Sequence, residues 1–201
     1  MGLPQAAARF DREAYFEWEA AQADKSEYLA GEVFAMVGAR QEHGVVGGAL
    51  YARFREHLRG TRCRAHVADM KLEVQAADAV FYPDVMVSCD EADRQRALAL
   101  QSPCLIVEVL SDSTAAFDRG NKFAAYRKLP SLQEYLLVDI DARRIELYRL
   151  VPTGWVYEVM EPGGPGSLQL ESIALTLTAT DAFGDLDEPA APTGTAPAIS
   201  A

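Results

Sequence analysis

The stretch PCLIVEVLS, residues 103–111, sets a single carboxylate, Glu108, inside a run of strand-forming apolar residues. A nearly continuous apolar run of this length predicts a strand that is buried on both faces and therefore lies inside a sheet. With the two-residue period of a strand, Glu108 shares one face with Ile106 and Leu110. Burial of a carboxylate is costly unless a cation or several donors compensate it. Glu108 is therefore either half of a buried ion pair with an Arg or Lys of a neighbouring element, or a metal ligand or catalytic carboxylate.

A second acidic residue, Asp84, follows a proline in the stretch FYPDVMVS, residues 81–88. Proline lacks an N–H group and is tolerated only at the edge, start or bulge of a strand, so Pro83 predicts a local break that redirects Asp84. A Pro-Asp pair alone is common in turns. Beside a neighbouring strand that carries Glu108, however, Asp84 predicts a pair of carboxylates able to bracket a hard divalent cation such as magnesium.

A third group comes from the stretch DRGNKFAAYRKL, residues 118–129, which predicts a helix that Pro130 stops. Asp118, Lys122 and Tyr126 follow one another at intervals of four residues and so share one helix face. One interpretation is a surface ion pair between Asp118 and Lys122, with Asp118 as the helix cap. The other places the Lys122 ammonium over the end of the central strand, where it could position a water or stabilise charge on a phosphate.

The order of predicted elements indicates one α/β domain with a mixed central sheet flanked by helices. Before the central strand come a short helix opened by Asp11, a hairpin turning at Ala30-Gly31 and a long helix ending at Gly60. Two strands, residues 63–75 and 79–89, follow the long helix. After the helix at residues 118–129, three more strands are predicted, at residues 134–139, 143–150 and 155–161. We expect a flexible N-terminus at residues 1–10, the domain at 11–186 and a disordered tail at 187–201.

Composition is that of an ordinary globular protein, and the net charge of −11 is unevenly distributed. Residues 150–201 carry seven acids and no bases, so the rest of the chain is only mildly acidic. The longest apolar runs are shorter than the roughly 18 residues of a transmembrane helix, and the start lacks the apolar core of a signal peptide. A cytoplasmic protein without membrane contact is expected. Three cysteines without a CxxC pair predict buried reduced thiols.

Taken together, four motifs are similar to those of the Uma family of restriction endonucleases, a branch of the PD-(D/E)XK nuclease superfamily. The motifs are YPDVMV, PCLIVEVLSDST, DRGNK with Tyr126, and LQEYLLVD. The resemblance extends from about Glu27 to about Tyr148. It implies a restriction-endonuclease-like core, a magnesium ion held by Asp84 and Glu108 with manganese able to substitute, and hydrolysis of phosphodiester bonds. It also implies a nucleic-acid substrate, expected to be DNA, and a homodimer, since nucleases of this fold often pair to cut two strands.

The resemblance has one departure and two further implications. The superfamily pattern puts a lysine two residues after Glu108, where this chain has Leu110, and the resemblance makes Lys122 its replacement. It also implies that Glu27 adds a carboxylate to the metal site, although Glu27 can equally be an exposed strand residue. His43, near a helix start, is expected to contact phosphate or orient Glu27; a capping or packing histidine is the alternative.

Two alternatives to a nuclease remain at this stage. One is a catalytically inactive protein of the same fold that binds nucleic acid or another protein; the other is a structural ion pair between Glu108 and Lys122 with no site at all. A cluster of arginines in and after the long helix can track a phosphate backbone or form a solvated helix face. Its members are Arg53, Arg55, Arg59, Arg62 and Arg64.

Overall fold

The computed structural model of this chain describes residues 11–36 and 38–187. The predicted flexible segment 1–10 and residues 188–201 of the predicted tail lie outside the described residues. Within them, helices flank three β-sheets, and the sheet that contains the predicted central strand mixes parallel and antiparallel strands. The predicted α/β class with a mixed central sheet is confirmed. No described helix is both long and apolar enough to cross a membrane.

The N-terminal elements form where the sequence predicts them. They are α1 (Arg12–Glu19), β1 (Ser26–Leu29), β2 (Glu32–Ala35) and α2 (Gln41–His57). Asp11 caps α1 by accepting a 2.9 Å hydrogen bond from the backbone N–H of Ala14. Between β1 and β2 the chain turns through Ala30 and Gly31, both with positive φ, as a tight two-residue hairpin requires.

The remaining elements are mostly strands. The strands are β3 (Arg64–Val67), β4 (Lys71–Val74), β5 (Ala79–Phe81), β6 (Val85–Ser88), β7 (Ala99–Leu100), β8 (Pro103–Val109), β9 (Glu134–Asp139), β10 (Arg144–Val151), β11 (Gly154–Met160), β12 (Ser167–Leu170) and β13 (Leu175–Thr178). The helices are α3 (Ala115–Phe117), α4 (Phe123–Tyr126) and α5 (Ala179–Asp187). A π-helical turn, Asp118–Lys122, joins α3 to α4. Single 3₁₀ turns lie at Gln75–Ala77, Asp93–Gln95 and Glu171–Ile173.

The larger sheet has the strand order β11-β10-β9-β8-β6-β3. Strand β8 is parallel to β9 and antiparallel to β6, so it has a neighbour on each side, as its apolar sequence predicts. The second sheet has the order β2-β1-β5-β4-β7, and β12 pairs with β13 alone. The site described below lies where the two larger sheets meet.

Two predicted strands are each broken in two, which corrects the expectation of continuous strands at residues 63–75 and 79–89. Strands β3 and β6 belong to the larger sheet, whereas β4 and β5 belong to the smaller one. The second break falls at residues 82–84, where Pro83 has no N–H group to donate to a ladder. The predicted break at Pro83 is therefore confirmed, and it transfers the chain from one sheet to the other.

The two faces of β8 contact different parts of the core. Leu105, Val107 and Val109 pack in the cluster that contains residues of α2 and α5. Ile106 and Leu110 pack in a second cluster with Tyr126 and its neighbours. This alternation places Glu108 on the side of the sheet that α3, the π-helical turn and α4 cover.

The cysteines differ from the expectation of three reduced thiols. Cys63 and Cys89 form a disulfide, and Cys104 is a buried free thiol. Because Arg64 of β3 lies opposite Ser88 of β6, Cys63 and Cys89 are the next facing pair along these antiparallel strands. Burial raises the pKa of Cys104 to about 11, which keeps this thiol protonated and poorly reactive at neutral pH.

Titration of thiols with a disulfide-exchange reagent tests this arrangement. The native protein, purified without reductant, should show no fast-reacting thiol, and the unfolded protein should show one, from Cys104. The Cys104→Ser variant should show none when unfolded. Three thiols per unfolded chain without prior reduction would contradict the disulfide.

Candidate active site

The six residues that the sequence singles out line one cleft of about 470 Å³. They are Glu27, His43, Asp84, Glu108, Asp118 and Lys122. They come from separate elements: the hairpin, the first turn of α2, the break before β6, the central strand and the π-helical turn. The fold therefore brings together side chains that are spread over about 95 residues of the sequence.

Asp84 and Glu108 face each other across two neighbouring strands. Val85 of β6 lies opposite Val107 of β8, so Asp84 is the next residue in register with Glu108. The Oδ2 atom of Asp84 accepts a 2.7 Å hydrogen bond from the backbone N–H of Val109, which fixes the orientation of the carboxylate. The break at Pro83 thus places Asp84 beside Glu108 instead of within a strand of the smaller sheet.

Lys122 lies among three carboxylates. Its Nζ atom is 3.0 Å from Oε1 of Glu27, 3.1 Å from Oε1 of Glu108 and 3.5 Å from Oδ1 of Asp118. Only 8 % of the lysine side chain is exposed, so the predicted alternative of a surface ion pair with Asp118 is wrong. Asp118 is also not a helix cap, because the helical segment begins three residues earlier at Ala115.

The π-helical turn Asp118–Lys122 carries two of the six residues. Single π-helical turns inside helices are rare and are frequent at functional sites. The turn presents both side chains to the sheet, where they are 3 % and 8 % exposed. The Oδ1 atom of Asp118 is buried without a hydrogen-bond partner among the described residues, an unusual state for a native protein.

Three tyrosines that the sequence did not assign to the site hold its acids. Tyr126 donates a 2.7 Å hydrogen bond to Oε1 of Glu108, and the backbone N–H of Tyr82 donates one of 3.0 Å to Oε1 of Glu27. Tyr135 donates to the backbone carbonyl of Asp118 at 3.1 Å. The four-residue spacing from Lys122 was the available signal for Tyr126, whereas no local pattern points to Tyr82 or Tyr135.

His43 and Glu27 differ in part from their predicted surroundings. The Nε2 atom of His43 is 3.3 Å from Oδ2 of Asp84, so the histidine contacts Asp84 and not Glu27. The side chain of Glu27 is 7 % exposed, which excludes the alternative of an exposed strand residue. His43 is one-fifth exposed in the cleft wall.

The electrostatics of the cleft are dominated by burial of several acids together. Burial raises the pKa of Glu108 well above its ordinary value of 4.5 against the opposing charge of Lys122, and it also raises the pKa of Asp118. Burial lowers the pKa of Lys122, but the surrounding carboxylates outweigh this effect and raise it overall. Burial also lowers the pKa of His43, but the neighbouring Asp84 carboxylate raises it, and the net change is an increase. The acids of the cleft are therefore short of positive charge.

The donor set fits a small, oxygen-binding cation. The hydrogen bonds and ion pairs that Glu108 makes within the described residues all end at Oε1, and those of Asp84 all end at Oδ2. The other oxygen of each carboxylate, Oε2 of Glu108 and Oδ1 of Asp84, thus has no hydrogen bond or ion pair within the described residues. Magnesium takes one or two carboxylates and keeps several waters, so two acids suffice. Residues 11–36 and 38–187 contain no ready-made cluster of three or more His, Cys, Asp or Glu ligands.

Another buried acid, Glu134, shows what a structural ion pair looks like in this protein. Its side chain is fully buried, and Oε1 accepts hydrogen bonds from Arg149 and from the backbone N–H of Glu171, each at 2.9 Å. The backbone N–H and the hydroxyl of Ser172 donate to Oε2. Both oxygens of Glu134 are thus satisfied by donors, whereas Glu108 lies beside three other carboxylates.

The arginine cluster does not line the cleft. Arg53 is paired with Asp181 of α5 and Arg59 with Glu56, and neither contributes to the cleft wall. Arg55 lies 12 residues after His43 in the same helix, about 18 Å along its axis at 1.5 Å per residue. Contact between this cluster and a nucleic acid stays a prediction.

The mixed sheet and its flanking helices define an α/β protein with a restriction-endonuclease-like core. The chain belongs to the Uma2 family, described as "Putative restriction endonuclease", whose sequence profile matches residues 12–180. It is 39 % identical over 165 residues to the uncharacterized protein slr1290 of Synechocystis sp., covering 82 % of this chain and 86 % of that protein. It is 37 % identical over 140 residues to sll1609 of the same organism, covering 68 % and 78 %.

A solved structure shares the fold. The crystal structure of a "putative nuclease belonging to DUF820" from Anabaena variabilis superposes with a TM-score of 0.67. The superposition covers 81 % of this chain and 92 % of that protein, at 20 % sequence identity. This similarity confirms the predicted fold class and, at this identity, the fold alone.

Removal of the Lys122 charge should destabilise the protein strongly. Lys122→Met leaves three buried carboxylates without their shared cation, and removing one partner of a buried ion pair typically costs roughly 3–5 kcal/mol. Lys128→Met, the same change at an exposed position six residues later, should alter stability by less than about 0.5 kcal/mol. Urea unfolding measures both variants. Equal effects would show that the Lys122 charge does not stabilise the cleft.

Proposed function

We propose that this protein is a metal-dependent nuclease that hydrolyses phosphodiester bonds of nucleic acid, with DNA as the expected substrate. The observation that carries the proposal is the pair of facing carboxylates, Asp84 and Glu108, each with one oxygen free of protein partners in the described chain, beside buried Lys122. Membership of a family described as restriction endonucleases supports the same chemistry. Magnesium as the cofactor, with manganese as a substitute, is part of the proposal.

The facing carboxylates would hold the cation. A divalent ion bound there polarises a phosphoryl oxygen and lowers the pKa of a bound water. The backbone N–H of Val109 orients Asp84 through its Oδ2 atom, and the hydroxyl of Tyr126 orients Glu108 through its Oε1 atom. The second oxygen of each carboxylate is the one that would bind the cation. Glu27 and Asp118 would add negative charge around the site and strengthen cation binding.

Lys122 and His43 are the basic side chains of the cleft wall nearest to the proposed reaction. The ammonium of Lys122 lies 3.1 Å from Glu108, close enough to hold a nucleophilic water or to offset charge on the scissile phosphate. Lys122 thus reaches Glu108 from the helical segment, whereas the superfamily pattern places its lysine on the strand at the position of Leu110. His43, held by Asp84, can donate a hydrogen bond to a phosphate oxygen.

A second candidate function is a non-catalytic member of the same fold. The position of the Lys122 ammonium among three carboxylates favours it, since an ion pair can neutralise the acids without a metal. This alternative predicts no divalent-cation binding. It would leave the Oδ1 atom of Asp118, which has no hydrogen bond within the described residues and only the 3.5 Å ion pair with Lys122, and the raised pKa of Glu108 as costs with no function.

Cation binding separates the two functions. Magnesium or manganese at about one hundred times its dissociation constant should stabilise the native protein by about 2.7 kcal/mol. Asp84→Ala and Glu108→Gln should lose this stabilisation, whereas Glu134→Gln, a change of a buried acid outside the cleft, should retain it. Thermal unfolding with and without the cation measures the shift, and calorimetric titration measures binding directly. Equal shifts in Asp84→Ala and the parent protein would contradict the assignment.

The metal-free protein should show a characteristic pH dependence. The pKa of Glu108 is raised in the native state, so protonation of this carboxyl favours the folded protein. This contribution to the free energy of unfolding is complete below about pH 4.5 and is lost as the pH rises through the raised native pKa. Glu108→Gln keeps an oxygen for Lys122 and Tyr126 but removes the charge. Its unfolding free energy relative to the parent protein should therefore increase as the pH rises above about 4.5. A difference that stays constant from pH 4 to 8 would argue against a raised pKa.

Cleavage is the remaining test. With magnesium or manganese the parent protein should hydrolyse a nucleic-acid substrate, and Asp84→Ala and Glu108→Gln should reduce the rate below detection. Glu134→Gln, assayed at a temperature where it is folded, should retain cleavage. Unchanged rates in either cleft variant would refute the roles proposed for Asp84 and Glu108.

A further inference from the structure

The groups proposed to act on the phosphate lie deep in the cleft. The side chains of Glu108, Asp118, Glu27 and Lys122 are at most 8 % exposed, and even Asp84 is only one-fifth exposed. The cleft volume of about 470 Å³ is that of a pocket for a small molecule, a class that spans roughly 300–1,000 Å³. A nucleotide-sized group fits such a space. A duplex, whose major groove alone is about 12 Å wide, is larger than such a pocket.

Part of the cleft wall is apolar and aromatic. The rings of Phe34 and Phe117 both line it, with their centroids 5.9 Å apart, and Phe117 is only half-buried. Met36, 39 % exposed, and Ala39 extend the apolar surface. Unpaired bases stack on aromatic side chains of this kind, whatever their sequence. Paired bases in a duplex cannot do so, because their faces are covered by their neighbours.

The described basic side chains of the cleft wall are already paired with acids. Arg40 is paired with Asp141, His43 with Asp84, and Lys122 with the three carboxylates around it. Proteins that bind a duplex through its backbone present several free Lys or Arg side chains to successive phosphates. The described cleft wall offers no such row, and the ion-paired Arg53 of α2 and Arg59 just after α2 lie outside it.

We propose that the cleft accepts an unpaired nucleic-acid strand, either a single-stranded stretch or a frayed end, and excludes an intact duplex. One phosphodiester reaches Asp84 and Glu108, and the adjoining base stacks on Phe117 and Met36, beside the largely buried Phe34. The inference deepens the proposed nuclease function and rests on it. It assigns to Phe117 a role in substrate binding that is separate from the proposed metal site.

Binding can be measured independently of cleavage. The probes are fluorescently labelled phosphorothioate oligonucleotides, which resist hydrolysis, as a single strand, as the same strand in a blunt duplex and as a duplex with a single-stranded tail. Fluorescence anisotropy with manganese should show tight binding of the single strand and the tailed duplex and weak binding of the blunt duplex. Phe117→Leu should weaken single-strand binding about tenfold, the effect of losing one stacked base.

The matched control is Phe123→Leu, the same change six residues later, in a ring that stacks on Tyr135 outside the cleft. It should leave binding of the single strand unchanged. Tighter binding of the blunt duplex than of the single strand, or equal effects of Phe117→Leu and Phe123→Leu, would overturn the inference.

Hydrolysis of bis(p-nitrophenyl) phosphate, a small phosphodiester with no base pairing, separates failure of the inference from failure of the proposed function. Metal-dependent hydrolysis with preferential binding of the blunt duplex would refute the unpaired-strand inference and leave the nuclease function intact. Preferential single-strand binding that Phe117→Leu weakens, without hydrolysis of any substrate, would support the binding mode and refute catalysis.

Discussion

The burial of Glu108 next to other carboxylates is the constraint on which the site depends. Burial of even one acid in a central strand is unfavourable. Here Glu27, Asp84 and Asp118 lie close to Glu108, and a single lysine, Lys122, lies among these acids. Lys122 offsets part of the charge, so the fold depends on it even without a bound cation. Glu134, elsewhere in the same sheet, receives a full set of donors instead. The contrast between these two buried acids distinguishes a site from a structural ion pair.

The chain builds this arrangement with two local irregularities. Pro83 ends pairing in the smaller sheet and brings Asp84 into register with Glu108 in the larger one. The π-helical turn Asp118–Lys122 places an acid and a lysine over the same strand. The sequence thus departs from local regularity at two of the segments that carry the candidate chemistry.

Much of this could be predicted from the sequence because it depends on local patterns. The alternation in β8, the hairpin at Ala30 and Gly31 and the break at Pro83 follow from side-chain period and backbone chemistry. The transfer between sheets could not be predicted, because the partner of each half-strand is set by long-range pairing. The same limit hid the disulfide of Cys63 and Cys89, which depends on the pairing of β3 with β6, and the anchoring of Glu27 by the backbone of Tyr82. Strands β12 and β13 and helix α5 were not predicted, although buried and exposed residues alternate in both strands.

A crystal structure of the protein soaked with manganese, with anomalous scattering used to locate the metal, tests the central claim most directly. We predict a peak between Asp84 and Glu108, coordinated by one carboxylate oxygen of each and by water, with Lys122 still buried beside Glu108. Absence of a peak at this position at saturating manganese, with Lys122 unchanged among Glu27, Glu108 and Asp118, would contradict it and leave a structural ion pair in place of a metal centre.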